Sequence, residues 1–157
     1  MSDPMVARLI VDAQIRAATK GDLAALATWS GPAEDTFRPA LERDEHILLI
    51  AFANGRFPIG HLLVDLHGVL SHLLVLAGFR DQGLGTLLMA AGERILRERG
   101  VEHSMLAVEK ANNAAIRLYE RLGYATVGEG IEVWNEPMPD GAIRPVEHPT
   151  WVMKKAL

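Results

Sequence analysis

Val75-Leu76-Ala77-Gly78-Phe79-Arg80-Asp81-Gln82-Gly83-Leu84-Gly85-Thr86-Leu87-Leu88 is the stretch on which the fold turns. An apolar strand-like segment runs into a short loop holding Gly83 and Gly85, and a helical pattern starts there. Over residues 83–99, Leu84, Leu87, Leu88, Ala91, Ile95 and Leu96 recur at helical spacing, while Glu93, Arg94, Arg97 and Glu98 fall mostly elsewhere. Gly100 stands where such a helix stops. Strand, glycine loop, helix is a geometry for an anion. Glycine lets the backbone approach a ligand closely. The first amides of the helix have no internal partner. The helix dipole adds partial positive charge, and Arg80 adds a full one. A phosphate or pyrophosphate fits that arrangement. The dinucleotide fingerprint does not match, because its third glycine position holds Leu88, or Leu87 in the other register. The Gly-Lys-Ser/Thr of a nucleotide-binding P-loop is absent.

Working outward toward the N-terminus, residues 46–53, 57–66 and 69–77 are short apolar runs of strand length. Asn54-Gly55 separates the first two, a dipeptide suited to a type I′ turn because both central residues need positive φ. His67-Gly68 separates the second from the third. Residues 46–77 therefore read as an antiparallel meander. Ahead of it, Asp22 is placed to cap a helix over residues 23–29, and a second helix over residues 32–43 puts Phe37 and Leu41 on one face. Residues 6–12 are apolar and β-branched and read as a strand or a leading segment.

Toward the C-terminus, residues 103–108 form another strand, Asn112 or Asn113 caps a helix that reaches Leu122, and Gly123 closes it. Residues 124–127 and 150–154 read as the last strands. Residues 128–149 between them hold four of the chain's eight prolines and read as a long loop, of the kind that often carries function. The whole is an α/β sandwich with a mostly antiparallel sheet at the front.

Composition bounds what such a domain can do. The chain has 157 residues, the size of one ordinary domain. Its 16 Lys+Arg against 20 Asp+Glu give a net charge of −4, which discourages binding along a nucleic-acid backbone. There is no cysteine, so disulfides, zinc–thiolate sites and any covalent cysteine intermediate are excluded. No apolar stretch approaches the roughly 20 residues of a bilayer span, and no signal peptide is visible, so the expectation is a cytoplasmic protein without a membrane partner.

The second informative stretch is Leu106-Ala107-Val108-Glu109-Lys110-Ala111-Asn112-Asn113-Ala114-Ala115-Ile116-Arg117-Leu118-Tyr119-Glu120-Arg121-Leu122-Gly123-Tyr124. With it the chain resembles the GNAT N-acetyltransferase superfamily. The family's acyl-coenzyme A loop, Arg/Gln-x-x-Gly-x-Gly/Ala, is matched by Arg80, Gly83 and Gly85. Its second motif, Asn-x-x-Ala-x-x-Leu-Tyr-x-x-x-Gly-Phe/Tyr, is matched by Asn112, Ala115, Leu118, Tyr119, Gly123 and Tyr124. Either motif alone is weak. The pair, in this order and spacing, is specific.

The resemblance implies a single domain over residues 1–157: a mixed, mostly antiparallel central sheet flanked by helices. A splayed pair of parallel strands, residues 71–76 and 103–108, would form the acyl-coenzyme A cleft. It implies acetyl-coenzyme A as co-substrate, no metal, and transfer of the acetyl group to a primary amine. Backbone groups of Leu73, Leu74 and Val75 would hold the pantetheine arm. Arg80, Asp81, Gln82, Gly83, Leu84, Gly85 and Thr86 would hold the pyrophosphate, and Asn112 would touch the arm from the far side. Tyr119 would be the general acid, since a phenol can protonate a departing thiolate.

The general base is less legible. Glu109, His72 and Ser71 are candidates, whereas Ala107 stands five residues before Asn112, where relatives that acetylate protein N-termini often carry Glu. His67 and His72 are read as opposite faces of a strand rather than as metal ligands, and His148 lies beside Pro149 in the late loop. That loop holds Glu129, Glu132, Trp134, Glu136, Asp140 and Glu147 against Arg144, a lip suited to a cationic amine. A non-catalytic acyl-coenzyme A sensor, or a toxin-type transferase acting on a macromolecule, stays open beside the small-molecule or peptide reading. So do pairing into a homodimer and the length of the acyl group.

Overall fold

The computed structural model describes residues 12–157. Residues 6–11 of the proposed leading strand lie outside them. The described chain is mixed α/β with seven strands, mostly antiparallel, and four α-helices. It divides into two compact units, one running to Ser104 and including Leu157, the other Met105–Ala156.

The first unit carries β1 (Ala13–Ala17), α1 (Leu23–Leu26), α2 (Ala33–Leu41), β2 (His46–Ala53), β3 (Phe57–Asp65), β4 (Val69–Val75) and α3 (Leu84–Glu98). Strands β1 to β4 pair in chain order, each antiparallel to the next. The meander is as expected. Asn54 (φ 53°) and Gly55 (φ 68°) both take positive φ, and Arg56 N–H closes the turn on the Ala53 carbonyl at 3.1 Å.

Strand β3 is buried over seven consecutive residues, so it reads as an unbroken apolar run rather than an alternation. One face meets α3. A Cβ added at Gly92 would lie 2.9 Å from Leu62 Cδ2, so glycine permits this close approach. The other face joins Leu48, Ile50, Phe52 and Leu63 to Leu23, Leu26, Ala33 and Phe37 in a dense core.

Three local expectations are corrected. The first helix is a single turn, preceded by a 3-10 turn at Lys20–Asp22. Asp22 does not cap it forward. Its carboxylate reaches back, accepting the Thr19 N–H at 2.8 Å and both ends of the Arg16 guanidinium at 2.9 Å. That holds the Asp22 carboxyl down at about 2, mainly through Arg16. On α3, Leu87 is exposed, and Met89, Gly92 and Glu93 are buried instead, so the stripe is rotated by about one residue.

The third correction is the largest. The second unit is built from β5 (His103–Glu109) after its first two residues, α4 (Asn113–Arg121), β6 (Ala125–Pro137) and β7 (Ile143–Ala156), with β7 between β5 and β6. The supposed loop over residues 128–149 is part of one long antiparallel hairpin, paired from Ala125↔Lys154 to Pro137↔Ile143 with one register shift between Thr126 and Gly128. The actual turn is only Met138 to Ala142. Proline misleads here because it usually marks loops. Pro145 and Pro149 are an even number of residues apart, so both put their missing N–H on one side of β7, and pairing with β6 continues through them.

Candidate active site

The glycine loop turns sharply into the helix that follows it. After β4 a 3-10 turn, Ala77–Phe79, leads to α3. Asp81 (φ 60°) and Gly83 (φ 83°) both sit in the left-handed region and swing the chain into the helix. A side chain at Gly83 would meet nothing within 4 Å, so the backbone angle, not crowding, selects glycine there. The first intrahelical bond runs from Leu87 N–H to the Gly83 carbonyl at 3.1 Å. The amides of Leu84, Gly85 and Thr86 therefore lie ahead of the helical ladder. Gln82 and Gly85 are half-buried, and Arg80, Asp81 and Thr86 are exposed. Arg80 folds back, its Nε donating to the Val75 carbonyl at 2.9 Å, which fixes the guanidinium beside the loop. Leu73, Leu74 and Val75 are half-buried on β4.

Strand β4 is irregular just before these residues. His61 pairs with Leu74 but Leu63 with Ser71, so β4 carries one extra residue, and His72 sits there at φ 54°. The bulge turns the His72 carbonyl onto the buried His61, whose Nδ1 donates to it at 2.6 Å. A carbonyl can only accept, so the remaining ring nitrogen accepts the Ser30 hydroxyl, Oγ to Nε2 2.8 Å. Trp29 stacks on the His61 ring at 5.8 Å and Phe37 meets it edge-on at 5.1 Å. Burial pushes His61 down to about 4, so it is neutral at ordinary pH. Sequence reasoning missed this group, because His61 lies in an apolar strand and its partners are 11 and 31 residues away. Ser71 and His72 pair with each other, Oγ to Nδ1 3.0 Å. His67 lies in the turn before β4 rather than on the strand.

In the second unit, the Asn112 carboxamide oxygen accepts the Ala115 N–H at 3.2 Å and caps α4. Tyr119 is buried, and its ring meets Tyr124 edge-on at 6.1 Å. Burial pushes its phenol up to about 12, so it stays protonated through the neutral range, as an acid must before it acts. Ala107, in place of the carboxylate some relatives carry, is exposed on β5.

Glu109, at the end of β5, is drawn into a cluster the sequence did not reveal. Its Oε1 lies 2.9 Å from His148 Nδ1, and Glu136 Oε1 lies 2.8 Å from His148 Nε2. Trp134 stacks flat on the imidazole, centroids 3.4 Å apart, and its Nε1 donates to Glu136 at 3.0 Å. The register explains the assembly: Glu132, Trp134 and Glu136 project from one face of β6, and Glu132 faces His148 directly. The other acids of the lip are largely answered. Glu129 pairs with Lys110 at 2.8 Å, and Asp140 with Arg144 at 3.4 Å. The signal available in sequence was the alternation Glu132-x-Trp134-x-Glu136, hidden once the segment was read as a loop. Among the described residues no group of His, Asp and Glu has metal-holding geometry, and no helix is long and apolar enough to cross a membrane.

Comparison with known proteins identifies the family and the fold. A model of the acetyltransferase (GNAT) family matches residues 12–124, which hold both motifs. Mycothiol acetyltransferase of Thermobispora bispora is 53% identical over 45 residues, 29% of this chain and 15% of that protein. The chain thus spans a small part of that relative. Among solved structures, the ribosomal-protein-S18-alanine N-acetyltransferase of Escherichia coli superposes with a TM-score of 0.75 at 24% identity, covering 92% of this chain and 93% of that one. The PaiA N-acetyltransferase of Thermoplasma acidophilum, in complex with coenzyme A, superposes with a TM-score of 0.68 at 15% identity, over 92% and 99% of the two chains. The fold is shared with both, and the family model spans most of this sequence: the chain belongs to the GNAT family of acetyltransferases.

Proposed function

We propose that residues 1–157 act as one N-acetyltransferase domain, moving an acetyl group from acetyl-coenzyme A directly to a primary amine of a small molecule or peptide. The observation that carries this reading is the amide crown at the start of α3, opened by Gly83 at φ 83°, in a chain that also presents a buried, protonated Tyr119. On this reading the amides of residues 82–86 and Arg80 hold the pyrophosphate. The backbone of Leu73, Leu74 and Val75 holds the pantetheine arm, and the Asn112 NH2 contributes a contact to the arm.

The chemistry then follows. The neutral amine attacks the thioester carbonyl, and a tetrahedral intermediate forms. The carbon–sulfur bond breaks, and Tyr119 gives its proton to the departing thiolate. With no cysteine in the chain, transfer is direct rather than through an acyl-cysteine. The co-substrate suits a cytoplasmic setting, with neither nucleic acid nor membrane as partner.

The test is thermal unfolding with and without acetyl-coenzyme A, followed by release of free thiol with a panel of amines. Stabilisation by several degrees and amine-dependent thiol release are expected. No stabilisation at millimolar coenzyme overturns the reading. Stabilisation without transfer to any amine makes the domain a sensor.

A further inference from the structure

The buried run of β3 holds one ionisable side chain, His61, and both of its ring nitrogens are bonded to other elements. We propose that His61 is a positioning residue for the coenzyme. By holding the His72 carbonyl it keeps one extra residue in β4, and so decides which backbone groups of Leu73, Leu74 and Val75 face a ligand. The proposal rests on the reading above, in which these three residues hold the pantetheine arm.

The register shows what the extra residue does. Ahead of the bulge Leu63 faces Ser71. After it His61 faces Leu74 and Gly60 faces Val75, so Leu62 alone stands opposite His72 and Leu73. Beyond the bulge, Leu76 donates its N–H to the Ile59 carbonyl at 2.8 Å. The N–H and C=O of one strand residue point to the same side, and the side alternates along the strand. Leu74 therefore also turns to β3, while Leu73 and Val75 turn away from it. The Val75 carbonyl agrees, since it accepts from Arg80 Nε at 2.9 Å and not from β3. Without the extra residue, Leu73 and Val75 would bond to β3 and Leu74 would face away. As β3 fills one side, a ligand meets this backbone only on the other. The bulge offers Leu73 and Val75 there, and Leu74 anchors them to β3.

Such a bulge needs a holder. His72 sits at φ 54°, in the left-handed region, where a residue with a Cβ is strained. Asn54 and Asp81, the other such residues among those described, lie in turns, whereas His72 lies inside a strand. Its carbonyl is taken by His61 Nδ1 at 2.6 Å, and the Ser30 hydroxyl on Nε2 keeps the proton on Nδ1.

The ring is also clamped. Trp29 stacks on it at 5.8 Å and is itself tied, through Nε1, to the Pro58 carbonyl at 2.8 Å. Phe37 lies edge-on both to His61, at 5.1 Å, and to the His72 ring, at 5.4 Å. Burying an imidazole in an apolar strand has a desolvation cost that leucine lacks. What the imidazole supplies and leucine does not is a directed bond to the one carbonyl that the bulge turns inward.

A histidine that only filled space would be matched by leucine, and the test uses this. Acetyl-coenzyme A affinity is measured by calorimetry, and stability by urea unfolding, in wild type, His61→Leu, His61→Asn and the double variant His61→Leu with His72→Gly. Leucine keeps apolar volume and loses the bond to the His72 carbonyl. Asparagine keeps a donor near the place of Nδ1 and loses volume. The affinity of His61→Leu is expected to fall about 10-fold or more, the worth of two or so backbone hydrogen bonds. His61→Asn is expected to stay within about threefold of wild type although it is the less stable of the two. Glycine takes φ 54° without strain, so the double variant recovers most of the lost affinity. A packing role predicts that affinity follows stability and that glycine rescues nothing. Affinity within about threefold of wild type in His61→Leu overturns the proposal, as does a loss that glycine does not recover. Should His61→Leu fail to fold, a loss of about 10-fold in folded His61→Asn overturns it. Should wild type bind no acetyl-coenzyme A, the acetyl-transfer reading fails separately. The hold on the bulge is then judged by amide hydrogen exchange, which needs no ligand. Relative to the amides of β2, those of Leu74 and Leu76 should exchange about tenfold faster in His61→Leu and recover in the double variant. Unchanged protection at both in His61→Leu overturns it.

Discussion

Two buried ionisable side chains, His61 and Tyr119, carry pH behaviour that can be measured. His61 is held at about 4 in the fold against 6.5 when exposed, because burial disfavours its charged form. The unfolded chain therefore binds a proton first as pH falls. The stability His61 preserves is complete above pH 6.5 and drains away between 6.5 and about 4, by an upper bound of about 3 kcal/mol. Urea unfolding of wild type and His61→Gln at pH 7 and pH 4.5 should show the wild type losing more stability on acidification. Equal losses in the two proteins would contradict the buried neutral imidazole. Tyr119, pushed up to about 12, keeps its proton far beyond neutrality. Tyr119→Phe should lower kcat by about 100-fold while leaving coenzyme binding close to wild type. The wild-type rate should show no basic limb attributable to this phenol below about pH 10, and a kcat that survives the substitution removes the acid role. Neither group was legible in full. Tyr119 stands in a motif, so sequence placed it. His61 meets Ser30 and the His72 carbonyl only after three elements pack, and nothing local announces that.

At the scale of elements, legibility followed how local the determining interactions are. The meander was readable because Asn54-Gly55 sets its own turn and β2 and β3 carry their apolar runs in sequence. Helix α3 was readable from its period and from Gly83 and Gly100, although its buried face is rotated, with Gly92 rather than Leu87 against β3. The β6–β7 hairpin was not readable. Its prolines and acids speak for a loop, while pairing between residues up to 29 apart, Ala125 with Lys154, decides otherwise. One side-chain cluster was hidden as a result: Glu132, Trp134, Glu136 and His148 came onto one face only once the register was known. Close packing at α3 makes a prediction of its own. Gly92→Val places methyls where a Cβ alone would be 2.9 Å from Leu62, with Leu70 and Val64 also close. We expect a loss of about 1–3 kcal/mol in chemical unfolding, with the helix retained by circular dichroism. A neutral effect would mean that α3 can move away from β3 at little cost.

Across the whole molecule, a chain that takes acetyl-coenzyme A and a cationic amine, as proposed, handles two oppositely charged partners. The chain's net charge of −4 acts at long range against a polyanionic coenzyme and in favour of a cationic amine. On the reading proposed above, the coenzyme is held by short-range forces: the amides ahead of α3, its dipole, and the Arg80 guanidinium fixed on the Val75 carbonyl. Directed backbone bonds of this kind are screened little by salt. On the same reading a cationic acceptor is drawn by the summed acid of the surface, much of it exposed, and such attraction fades once the Debye length shrinks from about 14 Å to about 4 Å between roughly 0.05 M and 0.5 M salt. The KM for a cationic amine should therefore rise several-fold over that range, while the KM for acetyl-coenzyme A should change less, and could even fall as the long-range repulsion is screened. Steady-state kinetics at four salt concentrations, with a neutral amine analogue as control, separates the two dependences. If the coenzyme's KM climbs more steeply than that of the amine, the pyrophosphate is held mainly by exposed charge, and the amide crown at Gly83 is not its principal seat.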